Sequence, residues 1–545
     1  MEMTWNNVYP RPQLKRDSFF SLNGEWLLDE TKIIVPFPPE SQLSHYNKPI
    51  NEHMTYEKVF SLPDDFIQFS SRVILHFGAV DQIAKVFLNN HLVTCHQGGY
   101  LPFEADITDF LKDNNHLVVE VEDTLSHDYP YGKQKKKRGG MWYTPVSGIW
   151  QSVWLEAVPP LYIEKLKITP ALDSIHLDVQ TQAPWYKVTI FLENETFVQE
   201  YNQKHIDISI ENGHYWSVTD PYLYMMQIET ETDMIESYFA LRTVSINQEN
   251  QVCLNQQPLF LHGVLDQGYF IDGLFLPKTP DQYKEDILNM KELGFNLLRK
   301  HIKIEPDIFY YYCDYYGILV MQDMVNNGNY HYILDTVLPN LGFRYRPDTL
   351  MKNKVQKNIF VQHSLETLDL LYNHPSIIAY TIFNEGWGQF EADKIYRLLK
   401  KTDPSRLYDA TSGWFQQKES DFDSRHVYFK NKVLKTKKEK PILLSECGGY
   451  TRYIENHVYN SQASYGYGKA NSEKSLTYRI LKLYDEMVIP SIKWGLCGCI
   501  YTQLSDIEDE INGLYTYDRQ ICKVNVEKMK FLLMKIEKEY KKKKV

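Results

Sequence analysis

The sequence predicts a multidomain protein of β plus α/β class: an N-terminal jelly-roll β-sandwich, an immunoglobulin-like β-sandwich and a C-terminal (β/α)8 TIM barrel. Three observations carry that prediction. The chain has 545 residues, too many for one hydrophobic core. Up to about residue 245 it reads as short β-rich runs separated by turn residues. From about 246 the period changes, and strands alternate with amphipathic helical stretches as in a parallel sheet wrapped by helices.

The first segment, 1–157, contains "YEKVFSLP", "SRVILHFGAV", "DQIAKVFLNNHLVTCHQGGY", "NHLVVEVEDT" and "GIWQSVWLEAV". The Asn-Asn pair between apolar flanks in "FLNNHLV" marks a hairpin turn, and this strand spacing fits a jelly roll. The second segment, 158–245, continues with "LYIEKLKITP", "SIHLDVQ", "YKVTIFLEN", "YLYMMQIET" and "YFALRTVSI", the size and spacing of a small immunoglobulin-like sandwich. "AVPP" (157–160) is a hinge between them.

The third segment, 246–545, opens with strand "PLFLHGV" and helix "TPDQYKEDILNMKELG", for which Thr279 is the expected N-cap, Pro280 the first helical residue and Gly294 the stop. Strands "FNLLRKH", "ILVMQDM", "AYTIFNE", "RLYDATS", "RHVYF", "PILLSE" and "GLCGCIYTQLSD" follow, mostly alternating with helices. Eight strands make a (β/α)8 barrel the economical reading, with its active site at the C-terminal strand ends.

Composition narrows the function classes. The chain is 43% hydrophobic and 24% charged, ordinary for a soluble globular protein. Its formal net charge of −11 argues against nucleic acid as a partner. The basic runs "KQKKKRGG" (133–140) and "KKKKV" are local exceptions, read as a solvated loop and a frayed helix end, with a place for the first at the mouth of the site kept open. No apolar stretch approaches the ~18 residues of a membrane span, and the N-terminal stretch lacks the apolar region of a signal peptide. Seven Cys without framework spacing suit a reducing compartment, so a cytoplasmic protein is expected. Forty Tyr and ten Trp suit sugar sites, whose C–H faces meet aromatic rings.

The chemistry concentrates at two strand ends. "AYTIFNEGWGQF" (379–390) turns from a buried apolar run to Asn384 and Glu385, and "PILLSECGG" ends at Glu446. A carboxylate at the lip of a core is costly unless solvated, paired or used. Two that close across a barrel mouth are the kit for glycoside hydrolysis, one acting as acid and the other attacking the anomeric carbon. Asp266, His301, Asp323, Ser412, His426, Tyr428 and Gln503 also fall at or just past strand ends.

The motifs, in order, resemble glycoside hydrolase family 2, which includes β-galactosidases, β-glucuronidases and β-mannosidases. "RPQLKRDSFFSLNGEW", "FGAVDQIAKVFLNNHLV" with "GGYLPFEADIT", "GIWQSVWLE", "LFLHGV", "LGFNLLRKH", "YYGILVMQDM", "HPSIIAYTIFNEG" and "KPILLSECGG" carry the resemblance over nearly the whole length. It implies a sugar-binding-like jelly roll and a retaining exo-β-glycosidase, with Glu385 as acid/base and Glu446 as nucleophile. It further implies that Asn384 binds the 2-hydroxyl, Tyr428 bonds the nucleophile, and Arg299 lowers the nucleophile's pKa by its charge. The family often has Ser-His-Tyr-Pro after that arginine; here "RKHIKIEP" leaves His301 as a candidate sugar ligand. Few residues separate the two glutamates, so short loops after strands 4 to 6 are expected.

Glucuronidases of the family carry Asn-x-Lys near the barrel's end, whereas "DEINGLYTYDR" has Asn512 followed by Gly513 and Leu514. That speaks against a uronic acid. "YTQLSDIEDE", with Gln503 and Asp506, resembles the β-mannosidase stretch with Ser505 in place of Asn. Asp266 and Asp323 are candidates to hold neutral hydroxyls, while Trp387 and Trp414 are stacking faces or packing. A terminal neutral sugar is expected, β-galactoside first as the commonest activity, then β-mannoside or α-L-arabinopyranoside. The partner is a small-molecule glycoside or oligosaccharide; no cofactor or metal is implied, and a homo-oligomer stays open. A catalytically silent carbohydrate-binding protein on the same scaffold would be expected to lose one glutamate, and neither is lost. A metal hydrolase would need paired ligand spacing, which His262, His301 and His426 do not show. A transglycosylase shares every feature.

Overall fold

Alternation of apolar and polar residues builds the first sandwich. A four-stranded sheet (Phe19–Ser21, Val153–Val158, Arg72–Phe77, Phe103–Asp106) faces a six-stranded one that runs from Thr31–Val35 to His91–Gln97. Trp26, Tyr56, Val86, Val119 and Leu155 fill the space between them. The Asn-Asn hairpin forms as expected: Ile83–Leu88 pairs with His91–Gln97, with Asn89 and Asn90 both at positive φ, 50° and 72°. The computed structural model describes residues 3–67, 72–344, 348, 353–436, 439–462 and 464–542. Residues 543–545 of the basic tail, read as a frayed end, lie outside them.

The second sandwich sets three strands (Ile163–Pro170, Ser174–Thr181, His205–Ser209) against four (Thr196–Tyr201, Tyr186–Phe191, Tyr224–Glu229, Met234–Phe239), the count of an immunoglobulin constant-type fold. Buried Arg16 ties it to the first sandwich through Glu156 at 3.3 Å and Asp233 at 2.8 Å. Arg242 ties it to the barrel by donating to the carbonyls of Pro375 and Ile377, both at 3.1 Å. A small three-stranded sheet over 244–258 leads into the barrel.

The barrel strands are Leu261–Asp266, Leu297–Lys300, Leu319–Asp323, Ile377–Asn384, Leu407–Ser412, Asp423–Val427, Ile442–Gly448 and Leu496–Thr502, here strands 1 to 8. All ladders are parallel and run in the order 5-4-3-2-1-8-7-6, so the cylinder is nearly closed. Each strand is buried over almost its whole length, because parallel strands are covered on both faces. One local expectation changes and one holds. The first barrel helix, Asp281–Glu292, has Pro280 rather than Thr279 as N-cap and no side-chain cap. Strands 5, 6 and 7 follow one another without a helix among the described residues. No helix among the described residues is long and apolar enough to cross a membrane.

Candidate active site

Strand 4 delivers Asn384 and Glu385 to the barrel mouth, and the next residues turn sharply. Glu385 has φ 54° and Gly386 φ 77°, a backbone region that is costly for a residue with a Cβ and concentrates at functional sites. The Glu385 N–H donates to the Ser412 carbonyl at 3.0 Å, and His426 Nδ1 is 2.8 Å from Glu385 Oε1. Strand 7 brings Glu446 to face it. Oxygens of the two carboxylates and a ring nitrogen of His426 lie within 4.8 Å of one another.

Glu446 is the more heavily supported partner. Arg299 Nη1 donates to its Oε1 at 3.1 Å, and the Tyr428 hydroxyl donates to its Oε2. Burial alone would raise the Glu446 carboxyl, but the charges of His426 and Arg299, with the Tyr428 hydrogen bond, hold it at about 2. Arg299, itself buried, is fixed by Asp323 (Nε to Oδ1, 3.0 Å) and by the Ser445 carbonyl (3.0 Å), and donates to Asn384 Oδ1 at 2.9 Å. One guanidinium thus joins the ends of strands 2, 3, 4 and 7. Tyr428 stacks on Tyr467 at 4.0 Å between ring centres. His426 is steadied by Ser412 Oγ at 2.9 Å from Nε2.

Arg299, Asn384, Glu385, His426, Tyr428 and Glu446 therefore share one pocket. Other expected ligands are occupied differently. Both Asp323 oxygens serve protein groups, Oδ2 lying 2.6 Å from His301 Nδ1, so Asp323 positions Arg299 and His301 instead of holding hydroxyls. Burial brings His301 down to about 4, against the pull of Asp323. Asp266 is taken by Lys300 at 2.6 Å and the Gly268 N–H at 2.9 Å. Asp506 is taken by Lys523 at 2.7 Å and the Gly513 N–H at 2.8 Å. Trp387 is packed among Tyr131, Trp142 and Tyr330, with its indole N–H on the Gly328 carbonyl. Trp414 donates to the backbone carbonyl of Glu385 at 3.0 Å, so it braces that backbone.

Of one wall of the site, sequence reasoning named only Gln503. Gln503 Nε2 donates to Asn512 Oδ1 (2.9 Å), and Asn512 Nδ2 donates to Glu510 Oε1 (2.9 Å). Glu510 Oε2 accepts from the Tyr143 hydroxyl (2.5 Å), and Gln267 Nε2 bridges Tyr143 Oη (2.6 Å) and Gln503 Oε1 (2.8 Å). The five buried side chains close a ring between the first sandwich and the barrel. Burial raises the Glu510 carboxyl, and the charge of Glu446 adds to that rise while Lys133 opposes it. Lys133 also depresses His301, which puts its ammonium beside the pocket; it has no ion-pair partner among the described residues. Tyr143 follows closely on the basic run 133–140 that was given a place at the mouth of the site, and Glu510 lies in "DEINGLY", a stretch read only for a missing Lys.

Comparisons with known proteins match the chain to one family. Residues 21–159 match the domain described as "Glycosyl hydrolases family 2, sugar binding domain", and 244–463 match "Glycosyl hydrolases family 2, TIM barrel domain". A β-glucuronidase of Streptococcus agalactiae is 24% identical over 388 residues, covering 64% of this chain and 62% of that protein. A β-galactosidase of Thermoanaerobacter pseudethanolicus is 26% identical over 296 residues, covering 49% of this chain and 39% of the relative. The chain thus spans less than two thirds of either relative. The solved β-D-glucuronidase of Dictyoglomus thermophilum superimposes with a TM-score of 0.76 at 19% identity, over 97% of this chain and 98% of that one. A β-glucuronidase of Ruminococcus gnavus gives 0.76 at 18% identity, over 99% and 100%. Two domain matches in family order, around a barrel mouth that holds paired glutamates, place the chain in glycoside hydrolase family 2.

Proposed function

We propose that the protein is a retaining exo-β-glycosidase acting on a terminal neutral sugar. The observation that carries this reading is the approach of Glu385 and Glu446, whose nearest oxygens are within 4.8 Å. Retaining enzymes hold their carboxyls about 5–5.5 Å apart, while inverting ones leave room for a water. Glu446, ionised across the neutral range, attacks the anomeric carbon as Glu385 gives its proton to the departing glycosidic oxygen. The sugar is left esterified to Glu446. Water then enters, Glu385 takes its proton, the hydroxide attacks the same carbon from the opposite face, and Glu446 leaves as carboxylate. Asn384, oriented by Arg299, is placed for the 2-hydroxyl.

The Glu510 wall supports a neutral glycone, since a second carboxylate within electrostatic range of Glu446 disfavours a uronate. β-Galactoside leads, with β-mannoside and α-L-arabinopyranoside next. A β-glucuronide is the second reading, favoured by Lys133, whose ammonium lies over the Trp142 ring and has no carboxylate partner among the described residues, and by relatives that carry that name. Nitrophenol release from aryl β-D-galactoside, mannoside, glucoside, glucuronide and α-L-arabinopyranoside separates these. One neutral substrate is expected to turn over, with the rate falling at least about 10⁴-fold in Glu446→Ala. Proton NMR should show the β-anomer of the released β-D-glycose first. Initial release of the α-anomer sinks the retaining mechanism, and preference for the glucuronide sinks the neutral glycone.

A further inference from the structure

The second sandwich carries the same tripeptide pattern twice, His176-Leu177-Asp178 and His205-Ile206-Asp207, on paired strands. Their antiparallel register sets His176 opposite Asp207 and Asp178 opposite His205. Leu177 and Ile206 point into the core, so all four polar side chains emerge on one face as a checkerboard. His176 Nε2 is 3.2 Å from Asp178 Oδ1, and His205 Nδ1 closes on the same oxygen. The three atoms lie within 4.8 Å of one another. The two imidazole rings are nearly parallel, 7° apart, with centres at 6.2 Å.

We propose that this checkerboard is a binding site for a divalent transition ion of the zinc class, held by His176 Nε2, Asp178 and His205 Nδ1. A tetrahedral ion with bonds of about 2.0–2.1 Å separates its ligand atoms by roughly 3.3 Å, which the His176–Asp178 pair already matches. Asp207 completes the arrangement. Its Oδ1 is 2.8 Å from His176 Nδ1, so it fixes the proton on Nδ1 and leaves the Nε2 lone pair aimed at the ion, as outer carboxylates do for metal-bound histidines. Two imidazoles and a carboxylate favour zinc, nickel or copper over magnesium or calcium. Lys167, the cation set opposite Asp178 on the neighbouring strand, is drawn off over the Tyr372 ring at 4.0 Å. The ion displaces only the protons shared between these groups, and water takes the open position. His205–Ser209 is the edge strand of its sheet, so the ion staples that edge to its neighbour.

The alternative is a pair of cross-strand His–Asp ion pairs that bind no metal. The full chain, stripped with EDTA, is titrated with zinc alone by calorimetry, and with cobalt for its visible spectrum. The expected result is one zinc removed by His205→Ala, a substitution at a side chain 71% exposed, and weakened about 10–100-fold by Asp207→Asn. Zinc should raise the melting temperature of the parent protein but not of His205→Ala, with glycoside turnover equal in the two metal-free proteins. A zinc stoichiometry that His205→Ala leaves unchanged overturns the proposal, and so does absence of binding at 100 μM zinc. Zinc that persists in His205→Ala and inhibits turnover lies instead on Glu385, His426 and Glu446.

Discussion

Tyr428→Phe tests the electrostatic design of the site most directly, because it deletes one donor to Glu446 and keeps the ring that stacks on Tyr467. A hydrogen bond to a charged group is worth about 1.5–3 kcal/mol, and one pKa unit is about 1.4 kcal/mol. Losing the hydroxyl should therefore raise the Glu446 pKa by roughly one to two units, from about 2 to roughly 3–4. The nucleophile must be ionised, so activity is present above this pKa and lost as pH falls through it. The acid limb of kcat/KM reports the free enzyme. In the parent protein it should stay flat down to about pH 4, while in Tyr428→Phe it bends downward by then. Stopped assays with an aryl glycoside between pH 3.5 and 8, with circular dichroism to verify folding, give the comparison. Coincident acid limbs would show that the hydroxyl does not hold Glu446 ionised, and would refute the reasoning.

Glu510→Gln removes a charged acceptor from the wall and should raise KM for the best neutral glycoside about 10–100-fold, with a smaller effect on kcat; an unchanged KM would mean that Glu510 only braces Tyr143. Lys133→Ala should leave neutral substrates within about threefold, whereas a comparable loss confined to a glucuronide would favour the second reading. Removing residues 133–140 takes away Lys133 and the Arg138 contacts to Glu508 and Asp509 at 3.5 and 3.3 Å; substrate affinity should fall, and unaltered kinetics would exclude this loop from the rim. His374 lies in the barrel wall, where burial would lower its pKa but Asp314 at 2.6 Å and Asp307 at 2.5 Å raise it from 6.5 to about 10. Its contribution to stability is complete below pH 6.5 and is lost as pH rises through about 10. His374→Asn should cost about 3–5 kcal/mol at pH 6.5 and flatten that dependence in urea melts.

Barrel strands were legible because each is an apolar run ending in polar residues, a pattern that burial on both faces imposes. The Asn89-Asn90 hairpin was legible for a local reason, since two adjacent residues at positive φ select Asn. What failed was long-range. Asp266, Asp323 and Asp506 look identical in sequence to free carboxylates at a barrel mouth. Their partners, Lys300, Arg299 and Lys523, are recognisable only once strand pairing and loop closure have brought them together. The Glu510 ring joins residue 143 to residue 510, and no periodicity reports a contact across that distance. Helices between strands 5 and 7 were not needed, because segments of ten and fourteen residues can cross between neighbouring strands without one.

In the proposed mechanism Glu446 attacks and Glu385 carries the proton, and the surroundings of the two glutamates support that division. Glu446 receives a guanidinium on one oxygen and a phenol on the other, so its charge is delocalised into donors fixed before substrate arrives. Such preorganisation suits a group that must be ionised at the outset and must leave as an anion. Among the described residues Glu385 has one hydrogen-bond partner at its carboxylate, His426, and its side chain is 14% exposed against 7% for Glu446. Its reach toward solvent fits a proton carrier that meets first a leaving group and then a water. His426 spans both, 2.8 Å from one carboxylate and 3.6 Å from the other. It therefore links the group proposed to carry the proton to the group proposed to carry the sugar.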